Sequence, residues 1–338
     1  MCDDKKQNLA KICENGYSGH RDTCQRIGYA VKYSIMKMKK PVMILGISFA
    51  ILLVISAVAF YRSRSDRKNA DGSDTDWTKD QMDNQIENGE QILRYVDAHG
   101  GQHQMVVRND IEKHDYDWTC LKQTENGITY EGDPDYTVRK GIDVSYHQGE
   151  IDWNQVKNAG YDFVFVRIAY RGYGAEGTLN ADSMALSNIK GAKEAGLDVG
   201  VYVFSQAVNE AEAVEEADFV LDLLNGTKLE LPVVYDPEQI TDDEARTDSV
   251  TGAQFTANTK AFCEQIRSAG YEPMFYSNLV WEADQFDLGR LKQYPVWYAD
   301  YESVPQTPYA FRFWQYSESG TVDGINGSVD LDVEFIPN

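Results

Sequence analysis

The sequence predicts an α/β fold: a distorted, TIM-like (β/α) barrel of eight strands with reduced late helices, preceded by a single transmembrane helix. Three observations carry that expectation. Residues 41–60 (PVMILGISFAILLVISAVAF) form an uncharged apolar run. Three later segments, KNAGYDFVFVR (157–167), KEAGLDVGVYV (193–203) and RSAGYEPMFYS (267–277), repeat one design. Acidic residues follow the apolar strands of that repeat instead of being scattered.

Of the 338 residues, residues 1–40 carry nine Lys/Arg against four Asp/Glu, and residues 61–68 add four basic groups and one acid. The remaining 270 residues hold 19 basic and 49 acidic groups, a net charge near −30. A field of that sign excludes a nucleic-acid partner, whose binding face would be basic.

The apolar run at 41–60 is long enough, at about 1.5 Å per helical residue, to span the roughly 30 Å hydrocarbon core of a bilayer. A cleaved signal peptide or a buried core helix fits less well, because forty residues precede the run and both flanks are basic. The surplus of lysine and arginine upstream of it predicts an N-terminus inside and an extracellular acidic domain. Membrane lipid is therefore an expected partner of residues 41–60. Cys2, Cys13 and Cys24 fall on the inner side, eleven apart, without the close pair that zinc sites use. Cys120 and Cys263 fall on the outer side, as one disulfide or as two separate thiols.

Residues 61–138 read as a linker and a small extracellular spacer. The stretch 66–80 is almost free of apolar residues. Residues 81–118 look partly helical from the spacing of Ile86, Ile92, Leu93 and Val96, whereas 104–108 and 127–132 suggest short extended pieces. A small wall-binding module is the functional alternative, with no motif behind it.

The barrel is expected over 139–338. In each repeat an Ala-Gly pair ends a helix, with glycine taking the left-handed cap, and an apolar strand follows. The glycines are 160, 196 and 270; the second gap of 74 is close to twice the first of 36, so a unit is missing near 232, where LPVVYDPE (231–238) supplies a strand. One strand and one helix per period of about 37 argues for a parallel sheet or barrel. Helices are expected near 152–159, 183–195, 209–224 and 253–269, and further strands at 141–145, 294–299, 309–317 and 328–335. An open doubly wound sheet is disfavoured because GIDVSYHQG lacks the glycine spacing of a dinucleotide fold. No metal, cofactor or phosphate-loop motif is present.

Barrel chemistry gathers at the C-terminal ends of strands. Asp143 ends the first strand, Asp236 and Glu238 end the fourth with the same parity, and Asp330 lies on the last, which closure sets beside the first. Each acid alone has an ordinary reading as a helix cap or a solvated loop residue. Four converging on one opening must divide a proton, and their repulsion lifts at least one pKa toward the range of a general acid. Asp182 stands equally as the cap of the following helix or as a substrate contact. Among aromatics near strand ends, Tyr202, Tyr276, Trp297 and Trp314 are candidates to pack on pyranose rings.

The segments DVSYHQGEIDW (143–153), PVVYDPE (232–238), FWQYS (313–317) and GINGSVDLDVEF (324–335) resemble the family 25 glycoside hydrolases, the Chalaropsis-type lysozymes. The resemblance covers about 139 to the C-terminus and implies N-acetylmuramidase activity on the β-1,4 bond between N-acetylmuramic acid and N-acetylglucosamine. It implies peptidoglycan glycan strands as partner and no cofactor. The family's acid falls on Glu238, and its orienting or stabilising aspartate falls on Asp236. The acids of the first and last strands fall on Asp143 and Asp330. Where the family often has Asp-Leu-Asn, this chain has Asp330-Leu331-Asp332, which adds a carboxylate. A glycan-binding protein without catalysis, a glycosidase for another N-acetylated glycan, and a division- or sporulation-type partner protein are the competing readings.

Overall fold

The structure is a computed structural model that describes residues 85–338, apart from 88–89, 99, 125–126 and 242. The apolar run 41–60, the linker 66–80 and Cys2, Cys13 and Cys24 lie outside the described residues. Among the described residues no helix is long and apolar enough to cross a membrane.

The chain first forms β1 (Gln85–Glu87), β2 (Glu90–Val96) and β3 (Gln102–Val106), an antiparallel sheet in that order. This corrects the helical expectation for 81–118. Ile92 and Leu93 are both buried although they leave opposite faces of β2, so the apolar spacing imitates a helix. A hairpin follows, β4 (Leu121–Thr124) with β5 (Gly127–Tyr130).

The barrel comprises β6 (Tyr136–Val144), β7 (Phe163–Arg171), β9 (Asp198–Phe204), β10 (Val233–Asp236), β11 (Pro273–Asn278), β12 (Val296–Ala299), β13 (Phe313–Gly320) and β14 (Val329–Pro337). It opens three residues before the expected 139. A short β8 (Leu179–Ala181) adds to β7 as an antiparallel extra strand. Pairing is parallel from β6 through β7 and β9 to β13, while β14 runs antiparallel to both β13 and β6 and closes the ring.

Helices α1 (Trp153–Asn158), α2 (Ala185–Glu194), α3 (Glu210–Leu224) and α4 (Gly252–Ser268) cover the early strands, and later only α5 (Leu288–Leu291) and a π-helical turn at Trp281–Gln285 remain. Three of the starts are capped as their sequence dictates: Asp152, Asn209 and Thr251 accept from the backbone N–H of Gln155, Glu212 and Gln254. Gly160, Gly196 and Gly270 take φ of 86°, 80° and 88° where the chain leaves α1, α2 and α4.

Alternate residues of each strand fill the barrel. Phe163, Phe165, Val234, Met274, Trp297 and Phe313 form a separate interior core. Gly141 is required beside them, because a Cβ there would lie 2.1 Å from the Phe163 ring. The opposite faces meet the helices in a second, larger core. That core also takes in Leu93, Tyr95, Met105, Ile128 and Tyr130, so the described part of 61–138 is packed on the barrel. Tyr116 stacks on Phe335 with ring centroids 4.0 Å apart, and Trp118 and Tyr130 pack edge-on to the same ring. Arg108 Nη1 donates to Asp287 at 2.8 Å, and Gln306 accepts from Val96 N at 2.9 Å. Cys120 and Cys263 are both buried free thiols, which closes the disulfide alternative.

Phe335 is 2% exposed and joins the two parts. Phe335→Ala is expected to cost about 3–5 kcal/mol in denaturant unfolding while the transition stays single, since one core spans both. Two separated transitions would show that residues 85–130 fold apart from the barrel.

Candidate active site

Every carboxylate singled out from the sequence, apart from Asp182, reaches the same cleft at the C-terminal mouth of the barrel. On β10, Val234 and Asp236 point inward, while Tyr235 between them points out onto Phe262. β10 ends at Asp236, and Glu238, just past Pro237, also lines the cleft. Gln206, 1% exposed, donates Nε2 to the Glu238 carbonyl at 2.8 Å and is itself held by Thr247. Asp143 ends β6 directly opposite Asp330 on β14. Because β14 is antiparallel, its beginning, and not its end, lies at the mouth.

The cleft encloses about 260 Å³ and is lined by Asp143, Asp236, Glu238, Glu318 and Asp330, by Arg167, and by Tyr202, Tyr276, Trp297, Tyr301 and Gln315. Five carboxylates thus face one cation. Burial drives the Asp143 carboxyl well above the usual carboxylate range, and the charges of Asp330 and Asp332 add to it. Asp236 is also raised, by burial and then by Glu238, while Arg167 opposes the rise. Glu238 is pushed up to about 7 by burial against the opposing Tyr276 hydroxyl, with Asp330 and Glu318 adding repulsion. Its side chain is also open to solvent at the rim. Part of this shift is therefore screened until a bound chain displaces water. Asp330 is raised to about 6 by burial and Glu318. One step deeper, Asp332 accepts from Trp297 Nε1 at 2.8 Å and is held well above its usual range, chiefly by burial. A mouth so arranged holds a proton on one carboxyl beside an anion on another, which is the requirement for acid catalysis.

The aromatic candidates divide. Tyr202, Tyr276 and Trp297 line the cleft. Trp314 does not: it is fully buried on the outer face of β13, donates Nε1 to the Asp300 carbonyl at 2.7 Å and packs against Trp118. The reason is parity, since its neighbours Phe313 and Gln315 take the inward positions. Asp182 is buried behind the lining, accepting from Tyr146 N, Met184 N and Arg167 Nε at about 3.0 Å each. It secures the turn before α2 and fixes Arg167, in place of touching the cleft directly.

Arg167, Gln315, Tyr301 and Glu318 were not singled out from the sequence. Gln315 donates to Asp143 at 2.7 Å and accepts from the hydroxyls of Tyr276 and Tyr301 at 2.9 and 3.0 Å. Gln315 and Arg167 were legible in principle as polar residues sharing parity with buried Phe313 and with Phe163 and Phe165. Among the described residues no group of His, Cys, Asp and Glu is arranged to hold a metal ion.

Residues 142–325, over half the chain, match the family model for glycosyl hydrolases family 25. The chain belongs to that family. The autolytic lysozyme of Clostridium acetobutylicum is 30% identical over 194 residues, covering 57% of this chain and 55% of that protein. Lysozyme M1 of Streptomyces globisporus is 29% identical over 209 residues, covering 59% and 68%. The modular autolysin LytC of Streptococcus pneumoniae, solved in complex with a synthetic peptidoglycan ligand, shares the fold at a TM-score of 0.51 and 22% identity. That match covers 75% of this chain and 58% of LytC. The family 25 match begins inside β6, so residues 85–135 lie outside it.

The raised acids make the fold hold protons that the unfolded chain releases. A raised carboxyl contributes stability below its ordinary pKa and loses it as pH climbs through the folded value. With Asp330 at about 6 and Glu238 at about 7, the melting temperature is expected to fall between pH 5 and pH 8. Asp330→Asn should raise it at pH 8 by about 2–4 °C and change it little at pH 5. A variant no more stable at pH 8 would contradict mutual repulsion in the cleft.

Proposed function

We propose that the protein is a peptidoglycan muramidase that hydrolyses the β-1,4 bond between N-acetylmuramic acid and N-acetylglucosamine. The observation that carries this reading is the Asp236–Glu238 pair on one strand end, facing Asp143 and Asp330 across a cleft with aromatic walls. Glu238, raised to about 7 and the more solvent-accessible of the pair, gives its proton to the glycosidic oxygen as the C1–O bond breaks. Asp236 stabilises the positive charge that develops at the anomeric carbon, and water completes the hydrolysis and restores the proton to Glu238. Tyr202, Tyr276 and Trp297 form the aromatic wall of the cleft, held rigid by Trp297 Nε1 on Asp332 and the Tyr276 hydroxyl on Gln315. The names of the lysozyme relatives favour this substrate over other N-acetylated glycans.

We further infer that residues 41–60 anchor the chain in the cell membrane with the N-terminus inside and the catalytic barrel outside. The apolar length and the upstream surplus of positive charge support this. The wall polymer is then within reach of the cleft.

Two experiments test these statements. The full-length chain should release new reducing ends from purified peptidoglycan, with activity declining above about pH 7 as Glu238 loses its proton. Glu238→Gln should lower the rate by about 10²–10⁴-fold; equal rates would remove Glu238 from the acid role. In intact cells, a membrane-impermeant maleimide should label Cys2, Cys13 and Cys24 only after permeabilisation. Labelling without permeabilisation would reverse the orientation.

A further inference from the structure

Residues 85–135 lie outside the family 25 match, yet they hold a loop that contributes to the cleft wall. That loop leaves β12 at the mouth and runs from Asp300 to Pro308 without helix or strand, so its shape depends on what it is tied to. Tyr301, 37% exposed, is its contribution to the lining.

The main tie is one side chain. Gln306 accepts from Val96 N at 2.9 Å and donates Nε2 to Val96 O at 2.8 Å, so its amide pairs with the last residue of β2 much as a neighbouring strand would. The Gln306 backbone N–H donates to Asp300 Oδ2 at 2.8 Å. Asp300, 8% exposed, also accepts from the Tyr298 hydroxyl and from Glu302 N at 3.0 Å each, which closes the turn that bears Tyr301. The N-terminal segment fastens the loop again where it returns. Arg108 N donates to the Tyr309 hydroxyl at 3.0 Å, and Ala310 N donates to Glu112 O at 2.9 Å.

Inside the cleft, the Tyr301 hydroxyl donates to Gln315 Oε1 at 3.0 Å, the same oxygen that accepts from Tyr276 at 2.9 Å. Gln315 Nε2 donates to Asp143 Oδ2 at 2.7 Å. Two hydroxyls on Oε1 leave the amide one orientation, with its N–H on Asp143. A continuous chain of hydrogen bonds therefore runs from β2 to a carboxylate of the mouth.

We propose that residues 85–130 complete the cleft, with Gln306 as a positioning residue that carries the hold of β2 through the 300–309 loop to Tyr301, which in turn keeps Gln315 oriented on Asp143. The consequence for turnover rests on the glycan reading above; the hold on Tyr301 does not. A barrel released from this segment keeps its acids but loses the fixed rim around them.

The test uses the full-length chain. Gln306→Leu removes both bonds to β2 at similar volume, Tyr301→Phe removes only the hydroxyl, and the double variant combines them. On purified peptidoglycan each single change should lower kcat/KM by about 10-fold, with the same division between kcat and KM, and the double variant should lose no more than the worse single one. Ile128→Ala, which loosens the packing of the same segment but makes none of these bonds, should leave kcat and KM of the folded protein unchanged. A further arm needs no turnover: nitration by tetranitromethane, read by peptide mass mapping, with Tyr146 and Tyr173, each 42% exposed, as internal references. Gln306→Leu should speed nitration of Tyr301 by about threefold or more and leave the references unchanged, as a local release of the loop requires. Losses that multiply in the double variant, an equal loss with Ile128→Ala, or a Tyr301 no more reactive in Gln306→Leu overturns the proposal. A wild type that releases no reducing ends, while Tyr301 reactivity rises as stated, overturns the hydrolase reading alone.

Discussion

The antiparallel pairing of β14 with β6 is the constraint on which the rest of the site depends. It closes the barrel and places Asp330 opposite Asp143, with Asp332 one inward position deeper beneath Trp297. Had the last strand run parallel to its neighbours, its first residues would lie at the floor, far from Asp236 and Glu238. The reversal brings the acids of the first, fourth and last barrel strands to one mouth. Their repulsion in a poorly solvated space then keeps part of them protonated.

That repulsion is opposed by a small set of fixed polar groups. Gln315 gives one hydrogen bond to Asp143 while receiving two from Tyr276 and Tyr301, so it ties three barrel strand ends together through a single side chain. Arg167, clamped from behind by Asp182, is the one positive charge in the lining. The packing below is dry and aromatic, with Phe165 stacked on Trp297 at 4.7 Å between centroids. The rigid floor and the strained electrostatics of the mouth are two sides of one arrangement. The interior gives up solvation where the chemistry needs a neutral carboxyl.

Much of this was legible in the sequence because the signals were periodic. The Ala-Gly caps at 160, 196 and 270 marked the βα units, and the fourth strand was found from the gap between them. The unit before β10 hid its cap, since α3 ends on Asn225 at φ 45° and Gly226 at 77° without the Ala-Gly pair. Parity within one strand placed Asp236 and Glu238 together. Parity was also where the reading of Trp314 failed: β13 carries aromatics on both faces, so hydrophobicity could not say which face was inside. Arg167 and Gln315 each look like a strand-end polar residue in sequence, and only the closed barrel shows them facing inward. Within 85–130 the extended pieces expected at 104–108 and 127–132 appear as β3 and β5, whereas β2 carries a helix-like apolar spacing. Adjacent Ile92 and Leu93 are both buried on β2, so that strand loses the alternation that marks a half-exposed one.

We propose that the acids gathered by β14 make this cleft a muramidase with Glu238 as its acid. The most direct measurement is the identity of the new reducing-end sugar, obtained by borohydride reduction and hydrolysis of peptidoglycan digested with the full-length chain. The expected product is the reduced form of N-acetylmuramic acid, formed by wild type and greatly diminished with Glu238→Gln. Reduced N-acetylglucosamine in its place, or the same product yield from both proteins, would contradict it.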